Sequence, residues 1–175
     1  MRKLLVVVDM QNDFIDGVLG TKQAEEIVDN VAAKIKEYKP EDIFVTLDTH
    51  QEDYLDTREG QFLPVKHCVE GTEGWRLSPE IESLIEGAHI VEKPTFGSFE
   101  LIDAIGEIYE EEDGDIEIEL VGLYTDICVI SNALLVKNWF YETPIKVTAN
   151  CCAGITQEKH EAALATMRSC QIVVE

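Results

Sequence analysis

Reactive side chains follow several of the short apolar runs in this sequence. Asp9 follows "LLVVV", Asp48 closes "IFVTLD", Lys93 closes "HIVEK", and Cys128 comes shortly after "IEIELVG". Each alone has an ordinary explanation, because carboxylates often end strands, lysines are usually solvated and a free cysteine is commonly a core residue. Their shared position after predicted strands indicates instead that a carboxylate, an ammonium and a thiol converge on one edge of a sheet.

Cys128 lies in "GLYTDICV" (122–129), where a helix is predicted to begin. If Thr125 or Asp126 caps this helix, unpaired N–H groups and the helix dipole would favour a thiolate and could bind an oxyanion. A nearby Lys would lower the thiol pKa further, which would make Cys128 the most readily alkylated thiol, and a carboxylate could accept its proton. The spacing alone leaves two interpretations open, a nucleophile or a buried structural thiol.

A second group of residues has the chemistry of a metal site. Asp48 and His50 are two apart on an extended segment, so their side chains point to the same side and could share one ion. His67, further along the chain, could supply a second imidazole. Two imidazoles and one carboxylate suit Zn, Fe or Mn with open positions for water. An Asp-x-His pair by itself is usually no metal site, so the residues alone do not decide.

The elements that must position these residues alternate along the chain. Six runs rich in β-branched residues predict strands, at 4–9, 43–48, 89–93, 116–122, 145–149 and 171–174. Stretches with helical spacing lie at 24–38, 78–85, 99–109, 127–140 and 156–168, with Ser78 and Thr156 as N-caps of the second and last. Continuous apolar runs are typical of strands covered on both faces. We therefore predict an α/β fold, a doubly wound three-layer sandwich with a six-stranded, mainly parallel sheet.

One domain is expected over residues 1–175, interrupted by a long segment at about 49–77 that has no convincing helix or strand. Structureless segments of that length are usually functional or disordered. This one contains His50, Glu59, Phe62, His67 and Trp75, more histidine and aromatic residues than a disordered segment usually has. We interpret it as an ordered loop that carries the metal site.

Composition and charge exclude several classes of partner. The net charge of −21, from 35 acids and 14 bases, opposes binding to nucleic acid or to an anionic membrane. No apolar run is long enough to span a bilayer. The N-terminal "MRKLLVVVDM" has no small-residue cleavage site, so it predicts a strand, and we expect a cytoplasmic protein. The acidic run at 107–119 is interpreted as a solvated helix end and turn.

Cysteine usage points to a reducing environment. The five cysteines are an odd number in a chain without a secretion signal, so the thiols are expected to be reduced. Those other than Cys128 are interpreted as structural, namely Cys68, Cys151, Cys152 and Cys170.

Three motifs resemble the isochorismatase-like superfamily of cysteine hydrolases. They are "DMQNDF" (9–14), "EKPTFGSF" (92–99) and "GLYTDICV" (122–129), in the family's order, and the resemblance extends over nearly the whole chain. It implies a six-stranded parallel sheet flanked by helices and a catalytic triad of Asp9, Lys93 and Cys128. It also implies a cis peptide between Leu123 and Tyr124, with an oxyanion hole made by the backbone N–H groups of Tyr124 and Cys128.

The long loop narrows this resemblance to one branch. Its "DTH", "HC" and "GTEG" are similar to the metal-binding segment of nicotinamidases, also called pyrazinamidases. The implied ligands are Asp48, His50 and His67, with Glu59 as a further candidate, for one divalent transition metal. Zinc is the first choice, with iron or manganese as alternatives. The family's ring-binding residues correspond to Phe14, Leu19, Phe96 and Tyr124, with Phe62 or Leu63 from the loop.

The resemblance therefore implies an amidohydrolase that converts nicotinamide to nicotinate and ammonia through a cysteine thioester. The nearest alternative is a related cysteine hydrolase of another small amide, ureide or carbamoyl compound. A non-enzymatic metal-binding protein on the same scaffold leaves the triad unexplained, and isochorismatase chemistry needs no cysteine nucleophile. The expected partner is a small-molecule amide, and homo-oligomers are common in the family.

Overall fold

A computed structural model describes all of residues 1–175 and contains one six-stranded sheet. The strands are β1 (Arg2–Val8), β2 (Ile43–Asp48), β3 (His89–Lys93), β4 (Ile116–Leu123), β5 (Ile145–Ala153) and β6 (Val173–Val174). They lie in the order β3-β2-β1-β4-β5-β6, and every neighbouring pair is parallel. The predicted sheet is confirmed, although β5 runs four residues further than the apolar pattern indicates.

Helices cover both faces of this sheet. They are α1 (Asn12–Ile15), α2 (Lys22–Ile35), α3 (Arg58–Phe62), α4 (Pro79–Glu82), α5 (Phe99–Glu111), α6 (Ile130–Trp139) and α7 (Gln157–Ser169). Two apolar cores result: one packs α5, α6 and α7 against one face, and the other packs α1, α2 and α4 against the opposite face. Successive β1 residues alternate between the two cores because side chains on a strand alternate between its faces. The three-layer sandwich is thereby confirmed.

The predicted helix caps have different outcomes. Thr156 caps α7, since its hydroxyl accepts a hydrogen bond from the Lys159 N–H at 3.2 Å. Ser78 occupies the N-cap position of α4, as predicted, but its hydroxyl accepts no hydrogen bond from the helix and has no partner. The helix itself is one turn long, with Pro79 at its start.

The long loop contains more regular structure than its sequence indicates. A turn of 3-10 helix spans Tyr54–Asp56, and Thr57 caps the short helix α3 by accepting a hydrogen bond from the Gly60 N–H. The prediction that 49–77 lacks a helix is therefore wrong. A single helical turn is too short to show apolar periodicity, which explains why the pattern missed it.

The acidic run at 107–119 is solvated only in its first part. Glu119, in β4, is 1% exposed and accepts hydrogen bonds from the Tyr38 and Thr148 hydroxyls. Lys146 on β5 lies 3.1 Å from the same carboxylate. The interpretation of the whole run as a solvated turn was wrong for this residue, because a buried ion-paired carboxylate looks the same in sequence as an exposed one.

The strand order reverses direction between β1 and β4. In open parallel sheets, a crevice forms at the carboxyl ends of the strands where the order reverses, and ligands bind there. Asp9 follows β1 and the segment that contains Cys128 follows β4, so both flank this crevice. None of the helices combines the length and the apolar composition that crossing a membrane requires.

Candidate active site

Asp9 and Lys93 form a buried ion pair at the carboxyl edge of the sheet. Lys93 Nζ lies 2.7 Å from Asp9 Oδ2 and 3.5 Å from Asp48 Oδ1. The strand register explains this proximity, because Asp48 and Lys93 are paired residues at the ends of β2 and β3. The Thr46 hydroxyl donates to Asp9 Oδ1 at 2.6 Å and fixes the carboxylate from the other side.

Cys128 completes the group that the sequence predicts. Its Sγ accepts a hydrogen bond from Lys93 Nζ at 3.5 Å. The thiol lies on a π-helical turn, Thr125–Val129, in which the Val129 N–H donates to the Tyr124 carbonyl. Neither Thr125 nor Asp126 caps a helix here, so that prediction is wrong. Instead, Asp126 accepts a hydrogen bond from the Ile155 N–H at 2.9 Å and joins the turn to the segment after β5.

Burial controls the protonation of this group. Burial raises the pKa of the Cys128 thiol well above its ordinary value, the nearby Asp9 raises it further, and Lys93 opposes the shift. The prediction of a thiol with a lowered pKa is therefore wrong, since desolvation of the charged form outweighs one neighbouring ammonium. Burial also raises the pKa of Asp9, against the effect of Lys93. A carboxylate with a raised pKa is a stronger proton acceptor for this thiol.

The backbone before Cys128 has the expected cis peptide between Leu123 and Tyr124. The Tyr124 N–H makes no backbone hydrogen bond, so it is available to a ligand. The Tyr124 hydroxyl lies 2.6 Å from both the Phe14 and the Leu19 carbonyl oxygens. Burial raises the pKa of Tyr124 to about 12, which keeps the hydroxyl protonated, so that its one hydrogen is donated to one of these carbonyls or shared between them.

Three buried side chains next to Lys93 are arranged as a metal site. One ligand atom from each of Asp48, His50 and His67 lies within 4.8 Å of the other two. His67 Nδ1 lies 2.8 Å from the Val65 carbonyl oxygen and must donate to it, so Nε2 is the ring nitrogen that faces Asp48 and would ligate an ion. Burial would raise the pKa of Asp48, but hydrogen bonds from His50 and His67 lower it far below its ordinary value. The carboxylate is therefore ionised, as a metal ligand must be.

The separations between these atoms fit a small ion. Around a tetrahedral centre with bonds of about 2.1 Å, ligand atoms lie about 3.4 Å apart. Asp48 Oδ2 lies 3.0 Å from His50 Nε2 and 3.4 Å from His67 Nε2. Glu59 Oε1 lies 3.7 Å from each imidazole Nε2, slightly further than Asp48 Oδ2 lies from them. The donor set of two nitrogens and carboxylate oxygens suits zinc, iron or manganese.

A cavity of about 310 Å³ joins the thiol to the metal group, a volume at the lower end of the range for small-molecule sites. The residues that line it include every ring contact that the sequence predicts, namely Phe14, Leu19, Phe96 and Tyr124, with Leu63 from the loop. Phe62 is absent from this lining and is 82% exposed, so Leu63 is the loop residue at the cavity. Three residues that the sequence analysis did not select also line it: Ile127, Ile155 and Lys159.

Buried amides that support the site were also missed. The Gln11 amide donates to the Asp48 and Trp75 carbonyls and accepts from the Asp48 N–H, each at 2.8 Å. Asn132 donates to the Cys128 carbonyl at 2.8 Å and to the Phe96 carbonyl at 3.0 Å. Gln11 stands within the "DMQNDF" motif, which was the available signal, whereas Asn132 has none in a single sequence.

Comparison with known proteins decides the family. A family model of the isochorismatase domain matches residues 3–175. The chain belongs to the isochorismatase family. Among curated members, the nicotinamidase of Schizosaccharomyces pombe is 26% identical over 207 residues, which cover 97% of this chain and 91% of that protein.

Two solved structures agree with this assignment. The pyrazinamidase of Pyrococcus horikoshii in complex with zinc has a TM-score of 0.84 and 27% identity, and the match covers 100% of this chain and 99% of that one. The nicotinamidase/pyrazinamidase of Bacillus subtilis has a TM-score of 0.84 and 28% identity, with 99% of each chain covered. The isochorismatase-family fold that the motifs implied is confirmed.

Proposed function

We propose that this isochorismatase-family chain is a metal-dependent amidohydrolase that converts nicotinamide to nicotinate and ammonia through a cysteine thioester. One observation carries the proposal: Cys128 and two members of the metal group, Asp48 and His67, line the same cavity. A ring held at one end would present its carboxamide to the thiol at the other. The similarity to nicotinamidases and pyrazinamidases over nearly the whole chain supports this substrate.

The chemistry follows from the protonation of the buried groups. Asp9 accepts the Cys128 proton as sulfur attacks the amide carbon, because the thiol is protonated at rest. The backbone N–H groups of Tyr124 and Cys128 hold the oxyanion. Asp9 then returns the proton to the departing ammonia and a thioester remains. Water, deprotonated by Asp9, adds to the thioester and releases nicotinate and the thiol. Lys93 stays protonated throughout and balances the negative charge.

Asp48, His50 and His67 would hold the metal, with Glu59 as the fourth candidate ligand. A bound divalent ion supplies a Lewis acid for the pyridine nitrogen, which fixes the ring. The apolar side chains of Phe14, Leu19 and Phe96 contact the ring faces and exclude water. Zinc is the metal we favour, and Glu59→Gln should weaken zinc binding less than His50→Ala because the carboxylate lies further out.

Ammonia release from an amide panel tests the proposal. Nicotinamide and pyrazinamide should be cleaved, whereas benzamide, which lacks a ring nitrogen, should have a kcat/KM lower by about a hundredfold or more because its ring is not positioned. Cys128→Ala is the control for contaminating amidases. Metal analysis of the purified protein accompanies the panel.

The alternatives predict different outcomes. Equal cleavage of benzamide and nicotinamide would refute the nicotinamidase assignment and leave a cysteine amidase of other amides, ureides or carbamoyl compounds. Zinc binding without ammonia release from any amide would favour a metal-binding protein without catalysis.

The proposal includes a cytoplasmic location, a place in NAD salvage and assembly into homo-oligomers, as is common in the family. Fractionation of the source cells and sedimentation of the purified protein test the location and the assembly. Growth on nicotinamide as the pyridine source tests the role in salvage.

A further inference from the structure

The residue that follows His67 has an unusual backbone conformation. Cys68 has φ of +45°, in the left-handed region that residues with a Cβ seldom adopt unless they are Asn or Asp. Its side chain is 0% exposed and belongs to the core that α1, α2 and α4 cover. A non-glycine residue keeps such a conformation only where its surroundings enforce it.

Two hydrogen bonds enforce the conformation of Cys68. Its N–H donates to Asp13 Oδ2 at 2.8 Å, and its carbonyl accepts from the His50 N–H at 2.9 Å. The second bond joins Cys68 to the backbone of another candidate ligand. The first joins it to α1, 55 residues earlier in the chain. The backbone N–H of Cys68 is therefore held by α1, and its carbonyl is held by His50 of the metal group.

The Asp13 carboxylate is itself held in place. The Asp13 N–H donates to the Gly74 carbonyl at 2.9 Å, and a Cβ at Gly74 would clash with the Asp13 carboxylate. The loop thus leaves a space that this carboxylate fills. Asp13 is not one of the three residues whose ligand atoms cluster, so its effect on the ion is exerted through Cys68.

The direction of His67 depends on this arrangement. If Cys68 relaxed to an ordinary negative φ, the chain entering it would rotate, and the His67 imidazole would leave its position 3.4 Å from Asp48 Oδ2. We propose that Asp13 is a positioning residue for the metal site, which keeps Cys68 left-handed and so directs His67 at the ion. The inference rests on the proposed metal site.

Zinc affinity of the purified apoprotein, measured by competition with a chromophoric chelator, tests this role without turnover. Asp13→Ala should weaken zinc binding about 10- to 100-fold, the usual effect of losing a group that orients a ligand. Asp13→Asn keeps an acceptor oxygen but removes the charge, and it should stay within about threefold of wild type. Asp16→Ala, at an exposed acid of the same segment, is the matched control and should have no effect.

A rescue separates positioning from general damage. Glycine adopts the left-handed conformation without a steric cost, so adding Cys68→Gly to Asp13→Ala should restore most of the zinc affinity. Circular dichroism verifies that each variant is folded. Asp13→Ser, whose hydroxyl is too short to replace the carboxylate fully, is measured with the same expectation if Asp13→Ala does not fold.

The zinc affinities of these variants test the role of Asp13 separately from the existence of the metal site. Wild-type affinity in Asp13→Ala would overturn the inference while the metal site stands. Loss in Asp13→Asn equal to that in Asp13→Ala would assign the effect to charge, and failure of the Cys68→Gly rescue would exclude the backbone route. Zinc binding by wild type no tighter than by His50→Ala would refute the metal site, and the inference with it.

Discussion

Replacement of Lys93 by Met tests the charge balance at the centre of the candidate active site. Methionine keeps an unbranched apolar side chain and removes the ammonium, which is 1% exposed and 2.7 Å from Asp9 Oδ2. Asp48 keeps the hydrogen bonds from its two imidazoles. Asp9 keeps only the Thr46 hydroxyl, so its carboxylate becomes a buried charge without a counterion.

The expected loss of stability can be estimated in two ways. A buried charge left without its partner costs about 3–5 kcal/mol. Asp9 can instead take up a proton. Moving a carboxyl with an ordinary pKa of about 3.9 to its neutral form at pH 7 costs about 1.4 kcal/mol per pH unit, or about 4 kcal/mol. Both routes predict that Lys93→Met is about 3–5 kcal/mol less stable at pH 7.

The sign of the pH dependence follows from the pKa of Asp9. Burial raises this pKa, and without Lys93 nothing of comparable strength opposes it. The folded variant then holds a proton that the unfolded chain releases. The free energy of unfolding of Lys93→Met therefore has its full value below the pKa that Asp9 has in the unfolded chain. It is lost as the pH rises through the pKa of Asp9 in the folded variant. Wild type shares part of this dependence because its own Asp9 pKa is raised, so the deficit should be small near pH 4–5 and grow by at most about 1.4 kcal/mol per pH unit, most steeply above the wild-type pKa of Asp9.

Urea unfolding at pH 5, 6, 7 and 8 measures this deficit. The matched control is the double variant Lys93→Met with Asp9→Asn, which removes the uncompensated charge. It should recover most of the lost free energy of unfolding and depend less on pH than Lys93→Met does, because it has no carboxyl at position 9 to titrate. A deficit in Lys93→Met below about 1 kcal/mol at pH 7, or a double variant no more stable than the single one, would refute the reasoning.

Three further substitutions or treatments give expected outcomes. Cys128→Ala should unfold at nearly the wild-type temperature while kcat/KM for nicotinamide falls by at least about 10³-fold, which calorimetry and an ammonia assay measure. Asn132→Leu should lower the free energy of unfolding by about 2–4 kcal/mol because three buried backbone groups lose their partner, whereas Asn138→Leu at an exposed position of the same helix should change it little. Zinc at a hundred times its Kd should raise the free energy of unfolding of the wild-type protein by about 2.7 kcal/mol and leave that of His50→Ala unchanged. Thermal unfolding with and without chelator measures this difference.

The topology was predictable because its signals are local and repeated. Each apolar run is bounded by polar residues, and continuous burial on both faces requires parallel strands with helices between them. The reactive residues Asp9, Asp48 and Lys93 could be assigned to one edge because the carboxyl ends of parallel strands meet there. The register that pairs Asp48 with Lys93 follows from the same geometry.

Features that depend on tertiary burial were not predictable. Glu119 reads as part of a solvated acidic run, yet it is ionised beneath Tyr38 and beside Lys146. The π-helical turn at Cys128 has no periodicity signal, because it consists of one widened turn. The left-handed conformation of Cys68 likewise depends on an acceptor 55 residues away. In each case the deciding contact comes from a distant part of the chain.

Protonation of Cys128 has a consequence for its reactivity that reverses the sequence-based expectation. A thiol whose pKa burial raises holds little thiolate at neutral pH, and Asp9 must remove the proton as a bound amide is attacked. A general thiol reagent is not held beside Cys128 and Asp9 as a bound amide would be. The exposure of each thiol therefore decides which cysteine reacts first. Cys170 is partly exposed and the other four thiols are buried. We therefore expect the first equivalent of N-ethylmaleimide to modify Cys170 and leave amidase activity intact, as peptide mass spectrometry and the ammonia assay would show. Early modification of Cys128, with matching loss of activity, would instead indicate a standing thiolate and refute coupled proton transfer to Asp9.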